Sequence, residues 1–318
     1  MLTHFIENLL FAFSITAPIF VLVFLGTLLK KIRLIDSDFA NKASKLIYVV
    51  ALPALLFFSI SQTDLYEVFY GPMIAIALGG TFLIFLLSSF LARYVVKQPR
   101  DRGVFVQAAF RGNLAIVGLA FCDLAYGEMG IAKASILISL LTLFYNVLSI
   151  YTLSVTLKVS DKKWASIFTE MLKNPLIIAI GLGVIFSLLQ IPMPELAIQA
   201  GSYLTSMTLP LALLCIGATV SIGELKKSSS VSLTAVAIKL ILVPIVIVYA
   251  AYLWGFKPID LGVLFFMVSA PTAAVSYVMV QAMGGNGKLA ANIIAISTLL
   301  SLFSVSIGLS LLSFYGLV

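Results

Sequence analysis

The chain consists almost entirely of apolar runs of about 20 residues or more, each long enough to cross a bilayer as one helix. This feature limits its possible folds more than any other. Hydrophobic residues make up 61% of the 318 residues and charged residues only 10%, whereas soluble domains carry about 25% charged residues. Backbone polar groups must be satisfied internally inside a bilayer, so the runs are helices or barrel strands, and their length favours helices. We therefore predict an all-α polytopic membrane protein.

The apolar runs predict ten transmembrane helices in one membrane domain without a soluble domain. The first run has no basic leader and no small-residue cleavage pattern, so we interpret it as a retained helix and not as a signal peptide. Numbered from 1 to 10, the predicted helices cover 9–30, 41–62, 70–96, 103–124, 131–157, 168–190, 197–222, 231–254, 259–282 and 288–316.

Lysines and arginines concentrate on one side of this predicted domain. All but four of the 20 basic residues lie in alternate loop regions; Lys133 and Lys257 lie on the opposite side, and Arg111 and Lys239 lie within predicted helices. Cytoplasmic loops carry the excess of Lys and Arg, so we expect both termini to be periplasmic in a multi-pass protein of a bacterial inner membrane. The net charge of +7 has the same origin. Membrane lipid, and not nucleic acid, is the expected partner of these charges.

Prolines and glycines recur between the two halves of the chain with one offset. Pro18 lies 157 residues before Pro175, and Pro53 lies 157 residues before Pro210. Two five-helix halves have opposite topology because five is odd, and inverted repeats of this kind are typical of secondary transporters. The predicted units are residues 1–157 and 158–318. Chance alignment of prolines stays open, because proline is common in membrane helices.

Two predicted helices carry residues that interrupt a helix within the membrane. Glycine frees the backbone, and proline removes a backbone donor. Interrupted helices that meet would present positive N-terminal ends, which attract anions. The offset of 157 carries the first interruption onto the second. The predicted substrate site consists of Arg111, Gly112 and Asn113 in predicted helix 4, Ser269, Ala270, Pro271, Thr272 and Ser276 in predicted helix 9, and Asn146 in predicted helix 5.

These polar residues also have structural interpretations. Arg111 either binds a substrate carboxylate or extends its long side chain to the cytoplasmic interface. Lys239 either neutralises a substrate or pairs with an acid such as Asp123. Because predicted helix 8 is expected at the periphery, we favour a structural role or a side chain that extends to the membrane interface. Asn146 and Ser276 either contact substrate or join helices by hydrogen bonds. No carboxylate lies near the middle of a predicted helix, which disfavours carboxylate-based ion coupling. Coupling to H+ or Na+, including through Asp123, and uniport stay open.

The sequence contains no motif of an enzyme. It has no G-x-S-x-G, P-loop or H-E-x-x-H sequence and no pair of catalytic residues within its predicted helices. A single histidine and two cysteines in apolar runs do not form a metal-binding spacing. We expect neither catalysis nor a cofactor.

Several segments resemble the auxin efflux carrier family, which includes plant PIN-type carriers and bacterial malate permease-like proteins. In the first half these segments are FLGTLLKKIRLID, LIYVVALPALLFFSI and FRGNLAIVGLAF. In the second half they are KNPLIIAIGLG, TLPLALLCIGATVS and APTAAVSYVMVQAMGG. The resemblance covers nearly the whole chain.

This resemblance implies ten helices in two inverted five-helix repeats, with crossing broken helices 4 and 9 as in the antiporter NhaA and the bile acid symporters. It places Asn113 and Pro271 at the crossover. It also implies that a panel of helices 1, 2, 6 and 7 moves against the rest, and often a homodimer. Plant members carry a proline in the helix 4 pattern where this chain has Gly112-Asn113-Leu114, which leaves the break point open.

The combined prediction is a carrier that moves a small organic anion by alternating access, either secondary active or facilitative. The expected substrate is a mono- or dicarboxylate, auxin-like or malate-like. Two alternatives stay open. One is a sodium-coupled symporter of the bile acid type, and the other is a membrane sensor that binds its ligand without transporting it.

Overall fold

The computed structural model describes residues 2–62, 69–157, 175–219 and 229–318, and its regular elements in these ranges are helices. Predicted helices 4 and 5 together correspond to the observed helices Pro99–Phe110 and Leu114–Leu157, and predicted helix 9 corresponds to Pro258–Ser269 and Val275–Ala282. Residues 168–174 and 220–222 of predicted helices 6 and 7 lie outside the described residues. The helices are α1 (Leu2–Lys31), α2 (Ser37–Ser61), α3 (Gly71–Val95), α4 (Pro99–Phe110), α5 (Leu114–Leu157), α6 (Pro175–Leu188), α7 (Glu195–Thr219), α8 (Ser230–Leu253), α9 (Pro258–Ser269), α10 (Val275–Ala282) and α11 (Gly287–Phe314).

Six of these helices, α2, α3, α5, α7, α8 and α11, are long and apolar enough to cross a membrane, and α6 and α9 are shorter apolar helices. Many large apolar side chains of the described helices are exposed on the single chain, for example Phe24, Leu196 and Ile245. Lipid is the solvent that makes such a surface stable. The predicted class, a polytopic all-α membrane protein, is confirmed.

The long helix α5 folds back on itself at Gly127. This residue has φ 55° and ψ −141°, a backbone conformation that glycine adopts without steric cost. A Cβ atom on Gly130 would collide with the carbonyl oxygen of Cys122. Residues eight apart in a continuous helix are separated by about 12 Å. The segments 114–126 and 128–157 therefore turn sharply against one another.

Proline shapes two further helices through π turns. Ile47–Ala51 in α2 and Ile238–Leu242 in α8 are π-helical and lie just before Pro53 and Pro244. Proline has no N–H and crowds the preceding turn, and a wider turn accommodates it. The π turn of α8 contains Lys239, whose side chain is completely buried.

Glycines allow very close packing between the two halves of the chain. Helix α1 packs on α7, and α2 packs on α6. A Cβ atom on Gly26 of α1 would collide with the Leu214 carbonyl of α7, and one on Gly183 of α6 would lie 3.1 Å from the Phe57 carbonyl of α2. These four helices therefore form one closely packed layer.

Candidate binding site at two helix interruptions

Two interruptions of the helical chain meet in the interior. One separates α4 from α5, and the other separates α9 from α10. Gly112 and Thr272 form an antiparallel β-bridge. The Asn113 N–H donates to the Pro271 carbonyl at 2.7 Å, and the Ala273 N–H donates to the Arg111 carbonyl at 3.1 Å. Each extended segment thus satisfies backbone groups of the other, as a non-aqueous surrounding requires.

This exchange also defines the register of the two segments. The bridge places Asn113 opposite Pro271 and Arg111 opposite Ala273. Asn113 and Ala273 are equivalent in this exchange, because each donates its N–H to a carbonyl of the other segment. The offset of 157 instead carries Asn113 onto Ala270. The residue of the second half that is equivalent to Asn113 therefore lies three residues later than the offset of the prolines indicates.

The carbonyl ends of both short helices are closed by side chains from outside each helix. The Thr272 hydroxyl donates to the Ala108 carbonyl of α4 at 2.9 Å. The Lys239 ammonium donates to the Val268 carbonyl of α9 at 2.8 Å. The last turns of a helix carry unsatisfied carbonyls and a partial negative charge, so a hydroxyl and a cation both stabilise them.

Arg111 lies where α4 ends, and only 4% of it is exposed. Its guanidinium donates to the Asn146 amide oxygen at 2.7 Å and to the Ser149 hydroxyl at 3.0 Å, both on α5, and to the Met279 sulfur of α10 at 3.2 Å. All three acceptors are neutral. The side chain therefore points into the protein and not to an interface, and its positive charge is not compensated by these contacts.

The ion pairs among the described residues join side chains other than Arg111. Lys42 pairs with Asp38 on the surface, and Lys133 pairs with Asp260 in the interior at 2.8 Å. Neither pair includes Arg111. A charged side chain inside a membrane costs at least about 2.5 kcal/mol and usually marks a functional position. The uncompensated guanidinium is the main electrostatic feature of the interruptions.

The predicted site residues form one cluster around this charge. Three of them, Ser269, Ser276 and Thr272, are almost completely buried, and the hydroxyls of Ser269 and Ser276 have no hydrogen-bond partner among the described residues. Ala270 and Pro271 are also buried, while Asn113 and Asn146 are half-buried at the edge of the cluster. A Cβ atom on Gly112 would lie 3.1 Å from the Lys239 ammonium, so only glycine fits there without displacement.

Sequence reasoning missed several members of this cluster. Ser149 and Met279 bind the Arg111 guanidinium, the Gln107 amide contacts the same Met279 sulfur at 3.6 Å, and the Ser297 hydroxyl accepts from the Thr272 N–H at 3.2 Å. The signal for Ser149 was present in the sequence, because it lies one helical turn after Asn146 and so on the same helix face. The other contacts come from distant parts of the chain and left no local signal.

The structure corrects one expectation about a charged residue and adds a partner for another. Lys239 was expected at the periphery, but it is completely buried at the interruptions and binds a carbonyl instead of Asp123. From the sequence, Lys133 was expected on the side opposite the basic loops, and no partner was named for it; its side chain and that of Asp260 are only 8% and 6% exposed and form an ion pair between α5 and α9. Tertiary packing brought these residues to positions that hydropathy alone does not reveal.

A polytopic helical protein with a buried cation at two paired helix interruptions has the features of a membrane carrier. The membrane transport protein family matches residues 11–167 and 163–309 of this chain. The chain therefore belongs to this family, the auxin efflux carrier family whose segments it resembles.

Relatives from bacteria and archaea agree with this assignment. A "Putative malonate transporter" of Rhizobium meliloti (strain 1021) is 28% identical, and the match covers 92% of this chain and 93% of the relative. An "Uncharacterized transporter" of Methanothermobacter thermautotrophicus is 24% identical over 90% of this chain and 94% of the relative. A further uncharacterised transporter, of Methanocaldococcus jannaschii, is 23% identical over 91% and 95%.

Proposed function

We propose that this protein carries small organic anions across the membrane by alternating access, without converting them chemically. The observation that carries the proposal is the buried Arg111 guanidinium, whose hydrogen-bond acceptors among the described residues are all neutral. An anion that enters the cluster would supply the missing negative charge. A carboxylate adds the attraction between opposite charges, which the amide and hydroxyl acceptors cannot provide, so the anion would displace neutral partners such as Asn146 and Ser149.

The chemistry around Arg111 favours a carboxylate as the substrate. Guanidinium binds carboxylates through two parallel hydrogen bonds. The Ser269 and Ser276 hydroxyls have no partner in the part of the chain that the structure describes, and each would donate to a carboxylate or hydroxyl oxygen of the substrate. The name of the Rhizobium meliloti relative refers to malonate, which is a three-carbon dicarboxylate. A short dicarboxylate is therefore the first substrate to test.

The proposed architecture is ten transmembrane helices in two inverted repeats, 1–157 and 158–318. Two contacts support it. Gly26 approaches the Leu214 carbonyl, and Gly183 approaches the Phe57 carbonyl. Adding 157 to residue numbers 26 and 57 gives 183 and 214, so the two contacts are exchanged by the repeat. The turn at Gly127, which divides α5 into two segments, supports the count of ten.

In this proposal the layer of α1, α2, α6 and α7 moves against the part that contains the interruptions. Arg111, Ser269, Thr272 and Ser276 are each at most 4% exposed, so the cluster is closed in this conformation and opens when the two parts move. The distribution of Lys and Arg supports a bacterial inner membrane as the location, with both termini periplasmic.

The test is counterflow in proteoliposomes. Vesicles that contain the purified protein are loaded with unlabelled malonate and placed in dilute labelled malonate, and the label that enters is measured. We expect wild type and Arg100→Ala to accumulate label, because Arg100 lies exposed on the same helix α4, and Arg111→Ala not to do so. Malate, succinate and acetate compete in separate samples to define the class.

Two outcomes would reject the proposal. One is uptake by Arg111→Ala at the wild-type rate, which would remove the guanidinium from the substrate site. The other is binding of labelled dicarboxylate to the wild type without any accumulation in the lumen, which is the result expected of a ligand sensor.

A further inference from the structure

A second polar site lies apart from the interruptions, in a cavity of about 250 Å³ between α2, α5 and α7. Asp123 and Ile131 line it from the two sides of the turn at Gly127, Leu55 lines it from α2, and Thr205 and Pro210 belong to its α7 wall. Asp123 lies ten residues after Asn113, which is about 15 Å along a helix. The cavity is therefore separate from the Arg111 cluster.

The α7 wall presents oxygen atoms that act as acceptors. Pro210 has no N–H, so the carbonyl of Ser206, four residues earlier, lacks its helical donor. The Thr205 and Ser206 hydroxyls donate their protons to the Ser202 and Tyr203 carbonyls at 3.1 and 3.0 Å. Their lone pairs are left as acceptors. Ser206 lines the same cavity.

Asp123 adds a carboxylate to these acceptors. Among the described residues that line the cavity, it is the one with an ionisable side chain. The neighbouring ionisable groups are engaged elsewhere. The Cys122 thiol points to the Val263 carbonyl at 3.9 Å, the Tyr126 hydroxyl lies against Gly262, and Lys133 is paired with Asp260. Among the described residues, the lining of the cavity therefore carries a carboxylate and no basic side chain.

A carboxylate, hydroxyl oxygens and a free carbonyl are the ligands that hard cations take. We infer that Asp123 and the α7 oxygens form a site for a monovalent cation, H+ or Na+, whose occupancy is coupled to anion transport. Either ion neutralises the carboxylate. Na+ would be coordinated by the α7 oxygens, and a protonated Asp123 would donate a hydrogen bond to one of them.

The position of the site provides the coupling. Asp123 belongs to α5, which leads out of the first interruption, whereas Thr205, Ser206 and Pro210 belong to α7 in the layer proposed to move. A cation bound between them favours the conformation in which the two parts are close. A ligand shifts a conformational equilibrium only through such differential affinity. This inference rests on the proposed function.

The test measures coupled and uncoupled transport of malonate in the same vesicles. Counterflow at equal pH and Na+ reports the carrier alone, and accumulation above equilibrium under an inward pH gradient or an inward Na+ gradient reports coupling. We expect one of the two gradients to drive accumulation by the wild type, which identifies the ion. Asp123→Asn should keep counterflow and lose gradient-driven accumulation at least tenfold.

Glu128→Gln is the matched control, because it removes one carboxylate from an exposed position of the same helix α5. It should keep both activities. Wild-type accumulation under neither gradient, or undiminished accumulation by Asp123→Asn, would overturn the inference while the proposed function stands. If Asp123→Asn does not fold, Thr205→Val decides the matter, since it removes one acceptor and should weaken coupling but not counterflow.

Absence of wild-type counterflow would instead overturn the proposed function. The cation site is then tested by thermal unfolding. Na+ or protons that bind the folded protein raise the unfolding temperature of wild type by mass action. The same shift in Asp123→Asn, or no shift in wild type, would overturn the site.

Discussion

Buried positive side chains occur in two regions of this molecule, and their partners differ. At the interruptions, Arg111 and Lys239 bind neutral acceptors that include an amide, a hydroxyl and a backbone carbonyl. Between α5 and α9, Lys133 binds the carboxylate of Asp260. A buried cation that is paired with a carboxylate is already neutralised, and the pair stabilises the folded protein. A cation held by neutral groups is available for an anionic ligand.

Within the first region, the two cations also differ from one another. The Lys239 ammonium closes the last turn of α9, where the helix dipole favours a positive charge. The Arg111 guanidinium turns away from the end of its own helix α4 and reaches α5 and α10. This contrast assigns a structural role to Lys239 and the proposed binding role to Arg111. The following predictions test both comparisons.

The largest expected effect comes from breaking the Lys133–Asp260 pair. Asp260→Ala leaves a buried ammonium without its counter-charge, and we expect the free energy of unfolding to fall by about 3–5 kcal/mol. Denaturant titration in detergent measures this change. The double variant Lys133→Leu/Asp260→Leu should be close to wild type, because apolar replacement of both partners is often neutral. An equal loss in the single and double variants would contradict a structural pair.

Arg111→Lys separates charge from geometry at the proposed site. Lysine keeps the charge but cannot form the two parallel hydrogen bonds of a guanidinium. Loss of a hydrogen bond to a charged group is worth about 1.5–3 kcal/mol, so we expect a roughly 10- to 100-fold rise in the KM for malonate counterflow. The unfolding temperature without substrate should change little. An unchanged KM would show that substrate does not touch this side chain.

Lys239→Met should give the opposite pattern. Methionine fills a similar volume but leaves the buried Val268 carbonyl without its donor, which costs about 1–3 kcal/mol of stability. We expect a lower unfolding temperature and a KM for malonate within about threefold of wild type, a change of less than 1 kcal/mol. A large loss of affinity with normal stability would place Lys239 in the substrate site and remove the contrast with Arg111.

The smallest effect is expected from Gly112→Ala. The new methyl group lies 3.1 Å from the Lys239 ammonium and 3.3 Å from a Leu114 methyl, so these neighbours must shift. Overpacking of this kind costs about 1–3 kcal/mol, and the flexible lysine should keep it near the lower end. Gly79→Ala is the control, since no atom of the described residues lies within 4 Å of its new Cβ atom. Equal unfolding temperatures for both variants would show that the contact is not tight.

Much of the fold and part of the site follow from local sequence. The interruption of predicted helix 4 at Arg111-Gly112-Asn113 and that of predicted helix 9 at Ser269 to Thr272 are present where glycine and proline predict them. Glycine and proline act on their own backbone and the preceding turn, so their effect can be read without a partner. The same holds for the apolar length of the spans.

The partners of the polar residues could not be predicted in this way. Met279 lies 168 residues from Arg111, and Val268 lies 29 residues from Lys239. The chain must turn back several times before such groups meet. Lys239 in particular lies in an apolar segment whose pattern suggests a peripheral helix, and only its burial reveals its position at the interruptions.

The sequence by itself determined that this protein lies in a membrane, that its long apolar segments are helices and where two helices are interrupted, because hydropathy and backbone preference are properties of each segment alone. Only the tertiary structure decided that the interruptions pair, that Asp260 compensates Lys133, and that Arg111 has neutral partners. The physical reason is that the free energy of a buried charge depends on what surrounds it, and those surroundings are assembled from both halves of the chain.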